Sequence, residues 1–181
     1  MSKATELFKR MDAAEAAFCL RFNRACTKPV VRPFFALISR LGDGVYWYTL
    51  MALLPLYAGW EGVMAAAHMV LTASVGVLLY TWLKKHTLRP RPYSTLEDIC
   101  LGTAPLDQYS FPSGHTLHAA AFVVLFTHYY PESFWLVVPF AGLVALSRVI
   151  LGLHYPTDVI AGAALGCGIA YASLQLPGLL E

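Results

Sequence analysis

Long apolar stretches, separated by short polar breaks, fill the chain from about residue 45 onward. Stretches that carry no charge, or a single arginine, run over 45–60, 62–83, 113–130, 134–150 and 159–176. A helix needs roughly 20 apolar residues to cross the hydrocarbon core of a bilayer. The pattern therefore predicts five membrane-spanning helices, of which the first is short.

The first 28 residues have a different, amphipathic pattern. Apolar side chains recur with a helical period on one face, and charged side chains lie on or toward the other. The apolar set is Leu7, Met11, Ala14, Phe18, Phe22 and Ala25, and the charged set is Lys9, Arg10, Asp12 and Arg24. Pro29 cannot continue the hydrogen-bond ladder and ends this helix. The helix either lies at the membrane surface or packs against the bundle, and the pattern leaves both open.

The composition excludes an ordinary soluble domain. Of the 181 residues, 57% are hydrophobic and only 13% are charged, whereas soluble domains carry about 25% charged residues. The length suits one domain, and no internal repeat divides it. We therefore predict a single all-α domain over 1–181, a multi-pass transmembrane helical bundle at 45–176 preceded by an amphipathic interfacial helix at 1–28.

Polar residues gather at particular ends of the predicted spans. With five crossings, the end of the second span, the start of the third, the end of the fourth and the start of the fifth all lie on one face of the membrane. The residues that this places together are Lys84, Arg91, Ser113, His115, Arg148, His154 and Asp158. Charged groups near lipid are costly and usually functional, so the convergence predicts an active site.

The basic residues of this set favour a phosphate ligand. Lys84, Arg91 and Arg148 supply three positive charges, and the two guanidinium groups match the geometry of phosphate oxygens. Ser113 is well placed to cap the third helix, whose N-terminus attracts anions, and Gly114 lets the backbone approach one closely. We therefore expect a dianionic phosphate to bind here.

The two histidines can carry out the chemistry on such a phosphate. One imidazole can attack phosphorus while the other protonates the departing oxygen. Asp158 stands one helical turn beyond His154, where its carboxylate can accept a proton from one ring nitrogen and leave the other free to attack. Phosphoryl transfer depends mostly on positioning and charge, so this set is sufficient without a metal.

Three segments resemble the signature motifs of the type 2 phosphatidic acid phosphatase (PAP2) family. They are Lys84-x6-Arg91-Pro92, Pro112-Ser113-Gly114-His115 and Ser147-Arg148-x5-His154-x3-Asp158. The resemblance implies that His154 is the nucleophile that forms a phosphohistidine, Asp158 its orienting partner and His115 the acid for the leaving group. It implies phosphate binding by Lys84, Arg91, Ser113, Gly114 and Arg148.

The resemblance also implies a substrate class and a location. Bacterial members are integral membrane enzymes that hydrolyse lipid phosphates without a metal or other cofactor, so we expect a multi-pass protein of the bacterial inner membrane. Phosphatidylglycerol phosphate, phosphatidic acid, undecaprenyl diphosphate and the lipid A phosphates remain open as substrates. The partners expected are the lipid substrate and the bilayer, with no nucleic acid. The excess of Lys and Arg on the site's face predicts a cytoplasmic site, whereas the family habit is periplasmic.

Two alternatives compete with this interpretation. A non-catalytic transporter or scaffold could use the charges as structural pairs, but it would need nearby carboxylates, and the motifs supply only Asp158. A vanadate-dependent haloperoxidase shares the fold, but those enzymes are soluble. Outside the motifs, we expect Lys85, His86 and Arg89 at the surface and a packing role for His118.

Overall fold

The computed structural model describes the backbone of residues 3–176 and the side chains of residues 10–176. The two ends of the predicted 1–181 domain and the side chains of Leu7 and Lys9 lie outside the described residues. Seven α-helices follow one another, with no strand among the described residues. They are α1 (Lys3–Asn23), α2 (Val31–Arg40), α3 (Tyr46–Thr87), α4 (Pro92–Thr95), α5 (Gly114–Tyr129), α6 (Phe134–Ile150) and α7 (Pro156–Leu174).

The helix α3 contains a sharp reversal. Gly59 has φ 57° and ψ −130°, a conformation that glycine adopts far more readily than other residues. A Cβ at Gly62 would overlap the carbonyl oxygen of Leu54, so the segments before and after Gly59 lie against each other. The break falls at the end of the predicted first span, next to the start of the second.

The helix α5 forms the centre of the bundle. Its side chains Leu117, Phe122 and Leu125 are almost fully buried, and α3, α6 and α7 all pack against it. A Cβ at Gly162 of α7 would lie 2.5 Å from the Ser113 carbonyl oxygen. Small residues of this kind let two membrane helices approach closely, and this contact brings the start of α5 beside the start of α7.

The fold is that of a multi-pass membrane protein. Three helical stretches in the described part are long and apolar enough to cross a bilayer: Val31–Thr95, which contains the reversal, Pro131–Ile150 and Pro156–Leu174. The helix α5, with 16 residues, is shorter. The predicted all-α membrane bundle is confirmed, and the count of five crossings stays a prediction.

The amphipathic N-terminal helix packs against the bundle with one face. Cys19 and Asn23 are buried, whereas Phe18 and Phe22 are exposed. The Asn23 amide donates to the carbonyl oxygens of Cys100 and Ile150, both at 2.8 Å. The helix is thereby fixed to the end of the bundle that carries the polar residues.

Candidate active site

The predicted site residues converge as the span directions require. A single open cavity of about 1210 Å³ is lined by six of them: Lys84, Arg91, Gly114, His115, Arg148 and His154. Ser113 and Asp158, both fully buried, lie behind the wall of this cavity. Side chains from α3, the following loop, α5, α6 and the loop before α7 thus meet at one place.

His154 presents one ring nitrogen to the cavity and the other to Asp158. Its Nε2 lies 3.3 Å from the guanidinium of Arg91. Its Nδ1 lies 3.5 Å from the Asp158 carboxylate and 3.5 Å from the Ser110 hydroxyl. Burial, reinforced by the charge of Arg91, lowers the pKa of His154 well below its ordinary value. The imidazole is therefore neutral near pH 7, as an attacking nitrogen must be.

Two of the three predicted phosphate-binding cations share a carboxylate. The Lys84 ammonium donates to both carboxylate oxygens of Asp107, at 2.9 and 2.7 Å, and Arg91 donates to one of them at 2.8 Å. Burial alone would raise the pKa of Asp107, but the two cations outweigh it and the pKa is lowered. The expectation that the motif cations lack nearby carboxylates is therefore wrong, because the loop after α4 supplies one.

A second carboxylate meets the other histidine. Asp43, in the π-helical turn Leu41–Val45, contacts Nε2 of His115. None of the three sequence motifs includes this segment. Arg148 is buried nearby and donates to the hydroxyl of Ser39. The turn between α2 and α3 therefore contributes to the site alongside the motifs.

Ser113 acts within the protein rather than in the cavity. Its hydroxyl accepts from the backbone N–H of Thr116 at 3.5 Å, which makes it the predicted N-cap of α5. Its own N–H donates to the backbone carbonyl oxygen of Asp158 at 3.0 Å. Gly114 lines the cavity, whereas Ser113 does not.

Arg89 is not a surface residue, and that prediction is wrong. It is 1% exposed and donates to the Asp158 carboxylate at 2.5 Å. It also pairs with Asp12 and Glu15 of α1. The only signal in the sequence is the doubled Arg-Pro of residues 89–92, because the acids that neutralise Arg89 lie far away along the chain.

The other minor predictions hold. Lys85 and His86 are exposed. His118 packs its ring against Tyr80 and Phe122 and contacts the carbonyl oxygen of Ala73 at 3.2 Å, at the edge of the cavity. Among the side chains of residues 10–176, no three His, Cys, Asp or Glu are placed to hold a metal ion together.

Known proteins resemble this chain in sequence and in fold. An undecaprenyl-diphosphatase of Sulfolobus acidocaldarius is 27% identical over 158 residues, which cover 87% of this chain and 74% of that protein. A lipid A 1-phosphatase of Rhizobium johnstonii is 34% identical over 115 residues, or 61% of this chain and 46% of that protein. The crystal structure of Aquifex aeolicus LpxE matches with a TM-score of 0.78 and 27% identity, over 90% of this chain and 96% of that one.

These relatives agree with the prediction of a membrane phosphatase, since both named relatives are phosphatases. The chain spans less than half of the lipid A 1-phosphatase that it matches. The family model of the PAP2 superfamily matches residues 63–180, a segment that contains all three motifs and every predicted site residue. The chain therefore belongs to the PAP2 superfamily.

Proposed function

We propose that this protein is a metal-independent lipid phosphate phosphatase that works through a phosphohistidine at His154. The observation that carries the proposal is the orientation of His154. One ring nitrogen is open to the cavity beside Arg91, and the other faces a buried carboxylate. A histidine held in this way between a cationic pocket and an acid is suited to nucleophilic attack on phosphorus.

The first half of the reaction transfers the phosphoryl group to His154. The phosphate binds among Lys84, Arg91 and Arg148, which stabilise the charge that builds up on its oxygens. The Nε2 lone pair of His154 attacks phosphorus, and the bond from phosphorus to the lipid oxygen breaks. That oxygen takes a proton from His115.

The second half regenerates the enzyme. Water attacks the phosphohistidine, and the bond between phosphorus and Nε2 breaks. His115, now neutral, accepts a proton from this water. Inorganic phosphate leaves and His154 returns to its starting form. Asp158 holds the imidazole throughout and stabilises its positive charge while it carries phosphorus.

The substrate proposed is an amphiphile whose phosphate lies in the headgroup layer. The cavity that holds the cations is also lined by apolar residues of α3, such as Trp47, Met51 and Val77, which suits a hydrocarbon tail. Phosphatidylglycerol phosphate, phosphatidic acid and undecaprenyl diphosphate are the candidates. We place the protein in the bacterial inner membrane as one domain over 1–181, with the bilayer as its partner and no cofactor or nucleic acid.

Phosphate release from lipid monophosphates and diphosphates in detergent micelles, with a metal chelator present, tests the proposal. We expect release from at least one lipid, and a fall of at least about 10³-fold in His154→Ala. His86→Ala, a change at an exposed histidine, is the matched control and should keep full activity. Strict dependence on added magnesium, or near-normal activity of His154→Ala, would show that the mechanism is wrong.

The scaffold alternative has one observation in its favour, the pairing of Lys84 and Arg91 with Asp107. The same assay separates the two functions. A scaffold releases no phosphate from any lipid, and its His154→Ala variant is indistinguishable from the native chain.

A further inference from the structure

Arg89 lies at the junction of three elements behind the active site. It follows the end of α3, and its guanidinium fills the space between α1 and the start of α7. It donates to Asp158 and to the Thr157 hydroxyl, at 2.5 and 2.8 Å. On its other side it donates to Asp12, at 2.9 and 2.7 Å, and to Glu15, at 2.8 Å.

The N-terminal helix is also tied directly to α7. Glu15 accepts from the backbone N–H and from the hydroxyl of Thr157, both at 2.7 Å. Thr157 immediately precedes Asp158 in the chain. The acids of α1 therefore hold the first turn of the helix that carries the carboxylate partner of His154, as well as the arginine that contacts it.

The contact with Arg89 determines how the Asp158 carboxylate is turned. One of its oxygens accepts from Arg89. The other faces His154 and accepts from the Ser110 hydroxyl and the backbone N–H of Tyr155. Asp158 is fully buried, so no solvent can replace a lost donor. With the first oxygen anchored, the second stays directed at the imidazole.

The charges around Arg89 also matter to His154. An arginine paired with Asp158 alone would draw the negative charge of that carboxylate away from the imidazole. Here one guanidinium faces three carboxylates, those of Asp12, Glu15 and Asp158. The two acids of α1 offset Arg89, so Asp158 keeps its attraction for a positively charged imidazole.

We propose that Arg89, Asp12 and Glu15 form a positioning group that orients Asp158 and preserves the attraction of its negative charge for His154. The N-terminal helix is thereby part of the catalytic apparatus. This inference rests on the proposed function of His154 and Asp158. Removal of a residue that orients a metal ligand typically costs about 10- to 100-fold in activity, and we expect a loss of the same order for residues that orient Asp158. None of the three lines the cavity, so they act through the residues that they contact, Asp158 and Thr157.

The test uses the full chain in detergent with Asp12→Asn and Glu15→Gln combined, which removes the charges with little change in shape. We expect kcat for lipid phosphate hydrolysis to fall roughly 10- to 100-fold with KM within about twofold. The acidic limb of kcat/KM should move to lower pH, because the imidazolium of His154 is less stabilised. Glu97→Gln combined with Asp98→Asn, two exposed acids, is the matched control and should change neither quantity.

Arg89 supplies a second comparison. Arg89→Lys keeps the charge and should retain more kcat than Arg89→Gln, which leaves three carboxylates without their shared cation. The charged groups that face His154 and its carboxylate from the other elements are Lys84, Arg91, Arg148, His115 and Asp107. They remain in every variant, so a shift of the acidic limb reports on the group that the variant changes, the α1 acids or Arg89.

A separate readout distinguishes failure of this inference from failure of the proposed function. Nitrogen NMR of labelled histidines follows the titration of His154 directly, and we expect it to move to lower pH in the double variant. If the native chain hydrolyses no lipid phosphate, the proposed function fails, and the NMR titration still decides the coupling. If the folded double variant keeps native kcat, pH profile and His154 titration, Asp12 and Glu15 are only a structural brace and the inference is overturned.

Discussion

Replacing Asp107 by asparagine removes the negative charge that Lys84 and Arg91 share in the structure. A phosphate that binds these cations must displace the carboxylate first. Asp107 makes three charge-assisted hydrogen bonds with them. The side chain is 40% exposed, so solvent screening reduces their combined contribution to roughly 1–2 kcal/mol. In the asparagine variant this competition is gone, which corresponds to about 5- to 30-fold tighter phosphate binding.

Titration calorimetry of inorganic phosphate into the purified protein measures this difference. Asp98→Asn, which removes an exposed charge nearby in the chain, should bind phosphate like the native protein. Because phosphate is the product, tighter binding should also slow its release and lower kcat. Weaker phosphate binding in Asp107→Asn would refute the reasoning, since it would mean that Asp107 holds the cations in place for phosphate instead of competing with it.

Three further predictions concern the acid, the packing of the bundle and pH. His115→Gln should lower kcat about 10²- to 10⁴-fold for an alkyl phosphate but far less for an aryl phosphate, whose leaving group needs no proton. His118→Gln is the control. Equal losses of kcat on both substrates would contradict the role of His115 as the acid. Gly166→Ala places a Cβ onto the Leu117 carbonyl oxygen and should lower the melting temperature by roughly 2–12 °C, whereas Gly168→Ala, with open space around it, should not. The pKa of His154 is depressed in the folded protein, so its neutral form stabilises the fold above about pH 6.5 and this stability is lost as the pH falls. The melting temperature of His154→Asn should therefore change less between pH 7.5 and 5 than that of the native chain.

The sequence was sufficient to predict which motif residues meet. Lys84, His115, Arg148 and His154 each lie at a helix end, and the alternating direction of the helices brings those ends to one face. The positions of the apolar stretches and of the polar segments between them carry this information. The break at Gly59 was likewise visible as the interruption between two apolar stretches.

Apart from Asp158, the carboxylates of the site could not be predicted in the same way. Asp107 lies in an irregular loop, Asp43 in a turn and Asp12 on the polar face of an amphipathic helix, where acids are expected at the surface anyway. What brings them to the site is the tertiary path of the loops and the docking of α1, and no periodic pattern encodes either. Arg89 was misplaced for the same reason, since its burial depends on acids that lie more than 65 residues away along the chain.

Asp107 and Asp158 differ in their exposure to solvent, and this difference gives them different roles in the catalytic cycle. A buried cation without a counter-charge is costly, so the cavity needs anions even when it holds no substrate. Asp107 is partly exposed, and among the described residues its carboxylate is bound by Lys84 and Arg91, the cations that phosphate requires, so it can leave for solvent when substrate arrives. Asp158 has no exposed surface and is held by Arg89, Ser110 and the backbone of Tyr155. It cannot leave, and we therefore expect it to stay beside His154 from phosphoryl transfer to phosphate release, while Asp107 alternates with the substrate.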